Sequence, residues 1–366
     1  MVISRRRPAR RGKGSKSPAA AGIRLALGFA EMGMRALAAV AVPKPAGPAR
    51  VAKAKAAPAV RVSRPRSSFS AGMHDCDQGS LRYRLFKPAR VAGDKPPPLL
   101  VMLHGCGQTA EDFATGTGMN ALAKERGVMV LYPAQSRQAH ANRCWNWYDP
   151  YHANRDRGKA AVIASLTRRI IAAHGADPAR VHVAGLSAGA SMALVLAHAY
   201  PDLFAAVGVH SGLPLGAARD QGSAVMAMQR GNPGVRLLRP VPTIVFHGSH
   251  DAVVHPRNGR LIAIRAREAF AGLSHAQSAG ESRAGRRYGK TVDRIGAGRA
   301  LVEHWSIHGA GHAWSGGSAR GRFTDPRGPD ASREMLRFLL RHSLSARRRK
   351  VLAAALTRDA GTAIRG

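Results

Sequence analysis

A serine between two glycines, placed where a strand-like run gives way to a helix-like run, limits what this chain can fold into. Residues 181–184 (VHVA) are apolar and typical of a buried strand, and residues 190–198 (ASMALVLAH) are typical of a helix. Between them, residues 185–189 read GLSAG. The glycines permit a sharp turn, which leaves Ser187 exposed where the strand ends. Such a unit predicts a nucleophilic serine in a parallel α/β sheet.

The rest of the chain alternates between strand-like and helix-like segments. Apolar or alternating runs predict strands at about residues 81–86, 98–103, 128–132, 205–209, 243–246 and 301–307. Helical periods end near Arg126 and span about residues 158–174, 258–270 and 329–340. Residues 214–240 and 272–299 are rich in glycine and arginine without a clear period, and we expect loops there. The alternation predicts an α/β fold whose mostly parallel sheet is covered by helices on both faces.

The charge of the chain is unevenly distributed. Fifty-seven Lys and Arg residues against 21 Asp and Glu residues give a formal net charge of +36. Residues 1–66 contain 16 basic residues and one acidic residue, and residues 341–366 contain seven and one. We therefore expect a basic, largely disordered extension and linker at 1–69, a folded domain at 70–341 and a basic tail at 342–366.

The basic ends allow two interpretations. They contact polyanions such as nucleic acid or anionic lipid by neutralising phosphates, or they are solvated extensions without a partner. The sequence has no recognisable nucleic-acid-binding motif, so such contact would be nonspecific. No run of 18 apolar residues occurs, and we expect no transmembrane segment. Residues 5–42 resemble either an interrupted export signal, which would place the protein outside the cytoplasm, or an amphipathic helix in a cytoplasmic protein.

A serine hydroxyl becomes a nucleophile when a histidine accepts its proton and a carboxylate orients that histidine. Asp251 closely follows the strand-like run 243–246, where acids of open α/β sheets project into a site, and we expect it to orient the base. The alternative for Asp251 is a loop residue that closes an Asx-turn. His312 lies in a glycine-flanked loop after the last predicted strand and is the expected base, with His308 as its competitor.

The segment HGCGQ at residues 104–108 follows the first core strand. Backbone N–H groups in such a loop stabilise the oxyanion that forms when a carbonyl is attacked. We expect the N–H groups of Cys106 and Ala188 to form this oxyanion hole. The alternative is a plain glycine-rich turn.

The chain has three cysteines, and one of them, Cys106, lies in this segment. Cys106 and Cys144 either form a disulfide that fixes the oxyanion loop, and so indicates an oxidising compartment, or remain reduced thiols. Cys76 is left over and is expected to be free. The sequence has no metal-ligand spacing and no phosphate-binding loop, so we expect neither a metal nor a cofactor.

Three tryptophans occur in segments expected to surround Ser187, namely Trp145, Trp147 and Trp314. Aromatic side chains at such places form an apolar face for an acyl chain or stack on a ring of the substrate. The alternative is that they pack at the rim of the site. We expect substrate contact from these three residues, with packing as the competing interpretation.

Seven segments together resemble the polyhydroxybutyrate (PHB) depolymerase family of esterases, in the type whose oxyanion motif precedes the serine motif. They are HGCGQTAEDFA (104–114), YPAQ (132–135), CWNWY (144–148), VAGLSAGASMA (183–193), YPDLFAAVGVHSG (200–212), FHGSHDAVVHPRN (246–258) and HGAGHAWSGG (308–317). The resemblance covers residues 80–341, and similar domains occur in feruloyl and acetylxylan esterases. It implies an α/β-hydrolase fold, no cofactor, and a triad of Ser187, Asp251 and His312. It also implies the oxyanion role of Cys106 and supports its pairing with Cys144.

The activity implied by this resemblance is hydrolysis of short-chain polyester or oligoester bonds by a serine esterase that forms an acyl-enzyme intermediate. The implied partner is therefore an ester or polyester substrate. Two alternatives stay open. One is a carbohydrate esterase of the feruloyl or acetylxylan type, and the other is a protein that binds polyanions or granule surfaces through its basic tails.

Overall fold

The computed structural model describes residues 66–89 and 95–346. Its strands are β1 (Ser68–Cys76), β2 (Gly79–Lys87), β3 (Leu99–Leu103), β4 (Met129–Ala134), β5 (Val181–Leu186), β6 (Ala206–His210), β7 (Thr243–Gly248), β8 (Ser274–Glu281), β9 (Arg287–Arg294), β10 (Ala300–Ile307), β11 (Trp314–Ser315) and β12 (Thr324–Asp325). Its helices are α1 (Ala110–Thr117), α2 (Met119–Arg126), α3 (Gly158–His174), α4 (Ala188–Ala199), α5 (Gln221–Arg230), α6 (Arg257–Glu268) and α7 (Ala331–Leu339). The predictions for residues 1–65 and 347–366 lie outside the described residues.

Ten strands form one sheet in the order β1-β2-β4-β3-β5-β6-β7-β10-β9-β8. The six central strands from β4 to β10 pair in parallel, and an antiparallel pair flanks them on each side. Strands β11 and β12 form a separate two-stranded ribbon. The carboxyl ends of the six central strands therefore meet at one edge of the sheet.

Both faces of the sheet are buried, as β3 illustrates. Its residues Leu99, Val101 and Leu103 pack on one face, in a core that also includes side chains from α3, α4, α5 and α6. Leu100 and Met102 point to the other face and pack with α1, α2 and α7. Successive strand residues point to opposite faces, so a continuous apolar run is buried from both sides. The prediction of a mostly parallel sheet covered on both faces is confirmed.

Two segments expected to be loops contain regular structure. Helix α5 lies within residues 214–240, where Asp220 caps the helix by accepting a hydrogen bond from the Ser223 N–H. Strands β8 and β9 lie within residues 272–299 and form an antiparallel hairpin at the sheet edge. The prediction of loops is therefore wrong for these parts. The helical stretch expected to end near Arg126 is two helices, separated at Gly118 with φ 62°.

The ends of the described fold extend beyond the predicted boundaries of 70 and 341. Strand β1 begins at Ser68. Near the other end, His342 and Leu344 are buried, and the Leu344 N–H donates to the Ala179 carbonyl at 2.9 Å. Within residues 66–89 and 95–346, no helix combines the length and apolar character needed to cross a membrane.

Candidate active site

The predicted site residues follow four strands of the central sheet at the same edge. Cys106 follows β3, Ser187 follows β5, Asp251 follows β7 and His312 lies in the loop after β10. Strands β3 and β5 are neighbours, and β6 separates β5 from β7. Because parallel strands lie about 4.8 Å apart, the fold places these four segments along one short crevice.

Ser187 occupies a strained turn. Its backbone has φ 55° and ψ −123°, a conformation that non-glycine residues rarely adopt, and its peptide N–H donates to the His210 carbonyl at 2.9 Å. A Cβ atom on Gly185 or Gly189 would clash with the Leu103 carbonyl of β3, so both flanking glycines are required for this close approach. The turn places Ser187 between the end of β5 and the start of α4.

Asp251 is fixed by hydrogen bonds to both carboxylate oxygens. Its Oδ1 accepts from the Val253 N–H at 3.0 Å and the Val254 N–H at 2.8 Å. Its Oδ2 accepts from His312 Nδ1 at 2.8 Å and lies 3.3 Å from His247 Nε2. Burial alone would raise the pKa of Asp251, but the hydrogen bonds from His247 and His312 hold it well below its ordinary value. Asp251 is therefore a buried, ionised carboxylate.

His312 has one ring nitrogen engaged and one left for chemistry. Its Nδ1 contacts Asp251, and its side chain is 12% exposed. Gly248 permits the approach of this loop, because a Cβ atom there would clash with the Ala310 carbonyl. In the described part of the chain, no hydrogen bond joins the Ser187 hydroxyl to His312. The structure thus brings Asp251 and His312 together and places Ser187 at the same sheet edge.

His308 and three acidic residues that follow Ser187 in the sequence have other roles. His308 is exposed, and its N–H donates to the Arg287 carbonyl of β9. Asp220 and Asp330 cap α5 and α7, and Asp325 forms an ion pair with Arg286 at 3.0 Å.

Two backbone N–H groups near Ser187 are free to bind an anion. Among the described residues, the N–H groups of Cys106 and Ala188 have no hydrogen-bond acceptor. Ala188 is the first residue of α4, where the helix dipole favours negative charge. These are the two N–H groups predicted to form the oxyanion hole.

The loop that includes Cys106 is held from several sides. Cys106 and Cys144 form a disulfide with their Cα atoms 4.3 Å apart, whereas Cys76 is free. The Gly107 N–H donates to the Asn142 carbonyl at 2.7 Å, and Arg322 donates to the Gly107 carbonyl at 3.0 Å. These contacts fix the loop after β3 against the loop after β4, and the disulfide considered in the sequence analysis is present.

Two of the three tryptophans do not line a substrate surface. Trp145 is 0% exposed and donates from Nε1 to the His104 carbonyl at 3.0 Å. Trp314 is 1% exposed and donates to Ser332 Oγ at 2.9 Å. The expectation of substrate contact is wrong for these two, because their indole N–H groups and rings are satisfied within the core. Trp147 is buried and lies edge-on to Tyr148. Its contact with substrate stays a prediction.

Three buried histidines support the site, and sequence reasoning did not assign them these contacts. His247 lies in β7 with its Nε2 3.3 Å from Asp251 Oδ2, and its only sequence signal is its position four residues before Asp251. His210 stacks between Phe246 and Trp314, and burial lowers its pKa to about 3. Burial likewise lowers the pKa of His104 to about 4, and its Nε2 accepts from the Gln135 N–H at 3.1 Å. His210 and His104 are therefore neutral packing elements.

The described residues contain no cluster of three or more His, Cys, Asp or Glu side chains that could hold a metal ion. The site instead combines a strained serine turn, an ionised aspartate bound to a histidine, and free N–H groups at a helix start. Together with the central parallel sheet, these features define the α/β-hydrolase class.

The chain belongs to the esterase PHB depolymerase family, whose model matches residues 81–288. It is 34% identical over 246 residues to poly(3-hydroxyalkanoate) depolymerase C of Paucimonas lemoignei, a match that covers 63% of this chain and 58% of that protein. It is also 34% identical over 185 residues to feruloyl esterase B of Thermothelomyces thermophilus, covering 45% and 62%. The chain thus spans less than two thirds of the length of either relative.

A solved structure supports the fold. The acetyl xylan esterase from Aspergillus awamori superposes with a TM-score of 0.54 at 21% identity, over 67% of this chain and 94% of that one. At this identity the likeness establishes a shared fold alone.

Proposed function

We propose that this chain is a serine esterase that cleaves short-chain oligoester or polyester bonds through an acyl-enzyme intermediate. The observation that carries the proposal is the 2.8 Å hydrogen bond between His312 Nδ1 and Asp251, on the sheet edge where the strained turn presents Ser187. Family membership supports the same class of reaction.

In the proposed reaction, substrate binding brings the Ser187 hydroxyl to His312 Nε2, which accepts its proton. Asp251 keeps the proton of His312 on Nδ1 and stabilises the imidazolium that forms. The Ser187 oxygen attacks the ester carbonyl, and the N–H groups of Cys106 and Ala188 bind the resulting oxyanion. Catalytic hydrogen bonds of this kind often shorten only when substrate binds, and the proposed Ser187–His312 hydrogen bond belongs to that step.

The intermediate then collapses. His312 gives its proton to the leaving alkoxide, and Ser187 remains esterified to the acyl group. A water molecule, deprotonated by His312, attacks this acyl-enzyme and releases the acid. Every proton passes through His312, which explains why one ring nitrogen is kept on Asp251 while the other stays free.

Replacing Ser187 tests the proposal. We expect Ser187→Ala to lower kcat/KM for p-nitrophenyl acetate and butyrate at least about 1,000-fold, because the nucleophile is lost while the fold remains. A fluorophosphonate probe should label the unaltered protein and leave the variant unlabelled. Activity of the folded variant equal to that of the unaltered protein would refute the assignment.

A carbohydrate esterase of the feruloyl or acetylxylan type is the second candidate, because a feruloyl esterase B is among the relatives. Product analysis separates the two. Acid released from 3-hydroxybutyrate oligomers supports the oligoesterase. Ferulate or acetate released from methyl ferulate or acetylated xylan, without attack on the oligomers, supports the second candidate.

Compartment and tail contacts are further parts of the proposal. A disulfide between Cys106 and Cys144 supports an oxidising, extracytoplasmic location, since such bonds rarely persist in the cytosol. The 16 basic residues of segment 1–66 support nonspecific contact with polyanions. Salt-sensitive binding to anionic vesicles or DNA, lost on deletion of residues 1–65, tests that contact.

A further inference from the structure

A basic groove lies beside the oxyanion loop, at the part of the sheet formed by β1, β2 and β4. Its volume is about 670 Å³. Five basic side chains line it, namely Arg82, Arg84, Arg137, Arg143 and Lys159. Among the described residues that line the groove, Glu111 is the one acidic side chain. The groove therefore has a large excess of positive charge.

Most of this charge is uncompensated. Glu111 forms an ion pair with Arg84, so its carboxylate is already engaged. Within residues 66–89 and 95–346, no acidic side chain pairs with Arg82, Arg137, Arg143 or Lys159. Lys159 is half-buried, and burial lowers the pKa of its amine. A bound anion would relieve this cost, because it would supply the charge partner that the protein itself omits.

The groove adjoins the proposed oxyanion hole without including Ser187. Arg143 precedes Cys144, whose Cα is 4.3 Å from that of Cys106. Because consecutive Cα atoms are about 3.8 Å apart, the Cα atoms of Arg143 and Cys106 are within about 8 Å. Gln135 also lines the groove and donates to the Cys144 carbonyl at 3.2 Å. An anion held at this end of the groove would lie beside the loop that includes the Cys106 N–H group.

The groove's chemistry matches a carboxylate. Guanidinium groups bind carboxylates through paired, charge-assisted hydrogen bonds. Each cut of a hydroxyacid oligoester leaves a fragment that ends in a free carboxylate, so the proposed substrates carry this group. We propose that the groove binds a carboxylate on the substrate molecule and so favours anionic esters over neutral ones. The inference rests on the proposed esterase activity and adds a substrate preference to it.

Paired substrates test the preference. One pair is the 3-hydroxybutyrate trimer with a free carboxylate and the same trimer with a terminal carboxamide. The other pair is an acetylated xylo-oligosaccharide with and without a uronic acid branch. We expect kcat/KM to be about tenfold higher for the anionic member of one pair, the factor that a single charge-assisted contact provides. The pair that shows the preference identifies the source of the carboxylate.

Variants locate the preference in the groove. The double variant Arg137→Gln/Arg143→Gln removes two unpaired charges, including that of Arg143 beside the disulfide, and should bring the anionic-to-neutral ratio of kcat/KM close to one. High salt should reduce the ratio of the unaltered protein, since exposed charges are screened. The matched control is Arg126→Gln, which removes a charge at the end of α2, just before the amino end of β4, whereas Arg137 follows the carboxyl end of that strand. Its ratio should equal that of the unaltered protein.

Two results would overturn the groove proposal: equal kcat/KM within both substrate pairs, or a preference that persists in the double variant. Failure of the esterase proposal looks different. In that case neither member of either pair is hydrolysed, or the Ser187→Ala variant hydrolyses both at the rate of the unaltered protein.

Discussion

His247, in strand β7, has contacts that the sequence analysis does not predict. Its Nε2 lies 2.8 Å from the Val254 carbonyl and 3.3 Å from Asp251 Oδ2. The ring packs against Gly259, where a Cβ atom would collide with it. His247 therefore contacts the same Asp251 oxygen, Oδ2, as His312, and we expect it to act on the chemistry through that carboxylate.

We expect His247→Phe to lower kcat about tenfold, because Asp251 loses one charge-assisted contact and positions His312 less well. The pKa of Asp251 should rise from its lowered value, yet three donors remain to keep it ionised at neutral pH. The matched control is His250→Gln, an exposed histidine of the same loop that bonds to Ser249. Steady-state kinetics with a thermal melt check both variants. An unchanged kcat in folded His247→Phe would contradict the role.

At the same scale, residue type and order predicted the pairing of Asp251 with His312 better than the substrate contacts of the tryptophans. Ser187, Asp251 and His312 each carry chemistry that few neighbours could replace, so their order along the chain was informative. Trp145 and Trp314 are equally suited to a core and to a rim, and sequence does not distinguish the two. Trp145 and Trp314 are held in the core by hydrogen bonds from their indole N–H groups to the His104 carbonyl and Ser332 Oγ. Only the folded chain brings these partners close.

At the scale of elements, the disulfide joins two loops that follow neighbouring strands, β3 and β4. We expect Cys144→Ala to lower kcat about tenfold, since the Cys106 N–H loses one restraint on its position. The loss should stay limited because Asn142 and Arg322 still bind Gly107. The free energy of unfolding should fall by about 2–4 kcal/mol, because the unfolded chain is no longer restricted by the cross-link.

Kinetics and denaturant melts in the presence and absence of reductant test this role of the disulfide. The matched control is Cys76→Ser, which alters the free cysteine on β1 and should leave kcat and its response to reductant unchanged. Equal kcat for the oxidised protein and Cys144→Ala would show that the hydrogen bonds alone hold the loop.

Elements were predictable where burial imposes a pattern. The central strands are apolar throughout because both faces of the sheet are covered, and they were located within a few residues. Strand β8 (SHAQSAGE) is almost wholly exposed, so nothing in its sequence alternates. Helix α5 buries only Ala224 and Ala227, too few to establish a helical period. The sequence predicts loops for both, because edge strands and surface helices with few buried residues depend on their neighbours rather than on their own composition.

At the scale of the whole molecule, buried histidines link stability to pH. Burial lowers the pKa of six of them, to about 4 for His104, His198, His304 and His342 and to about 3 for His182 and His210. Each stays neutral in the folded protein below the ordinary value of 6.5, while the unfolded chain takes up a proton. Stability contributed by these groups is therefore complete above pH 6.5 and is lost as pH falls toward 4 or 3.

His182 offers the sharpest test of this linkage. Neither ring nitrogen has a hydrogen-bond partner among the described residues, and its pKa is lowered first by burial, then by His342 and Arg180. For each such histidine the unfolding free energy falls by up to about 1.4 kcal/mol per pH unit below 6.5.

Replacing His182 with leucine tests this loss of stability. We expect the melting temperature of His182→Leu minus that of the unaltered protein to be larger at pH 5 than at pH 8. Measuring both proteins in 0.5 M salt separates this effect from repulsion by the net charge of +36. Parallel losses of melting temperature from pH 8 to pH 5 in the two proteins would rule His182 out as a source of acid lability.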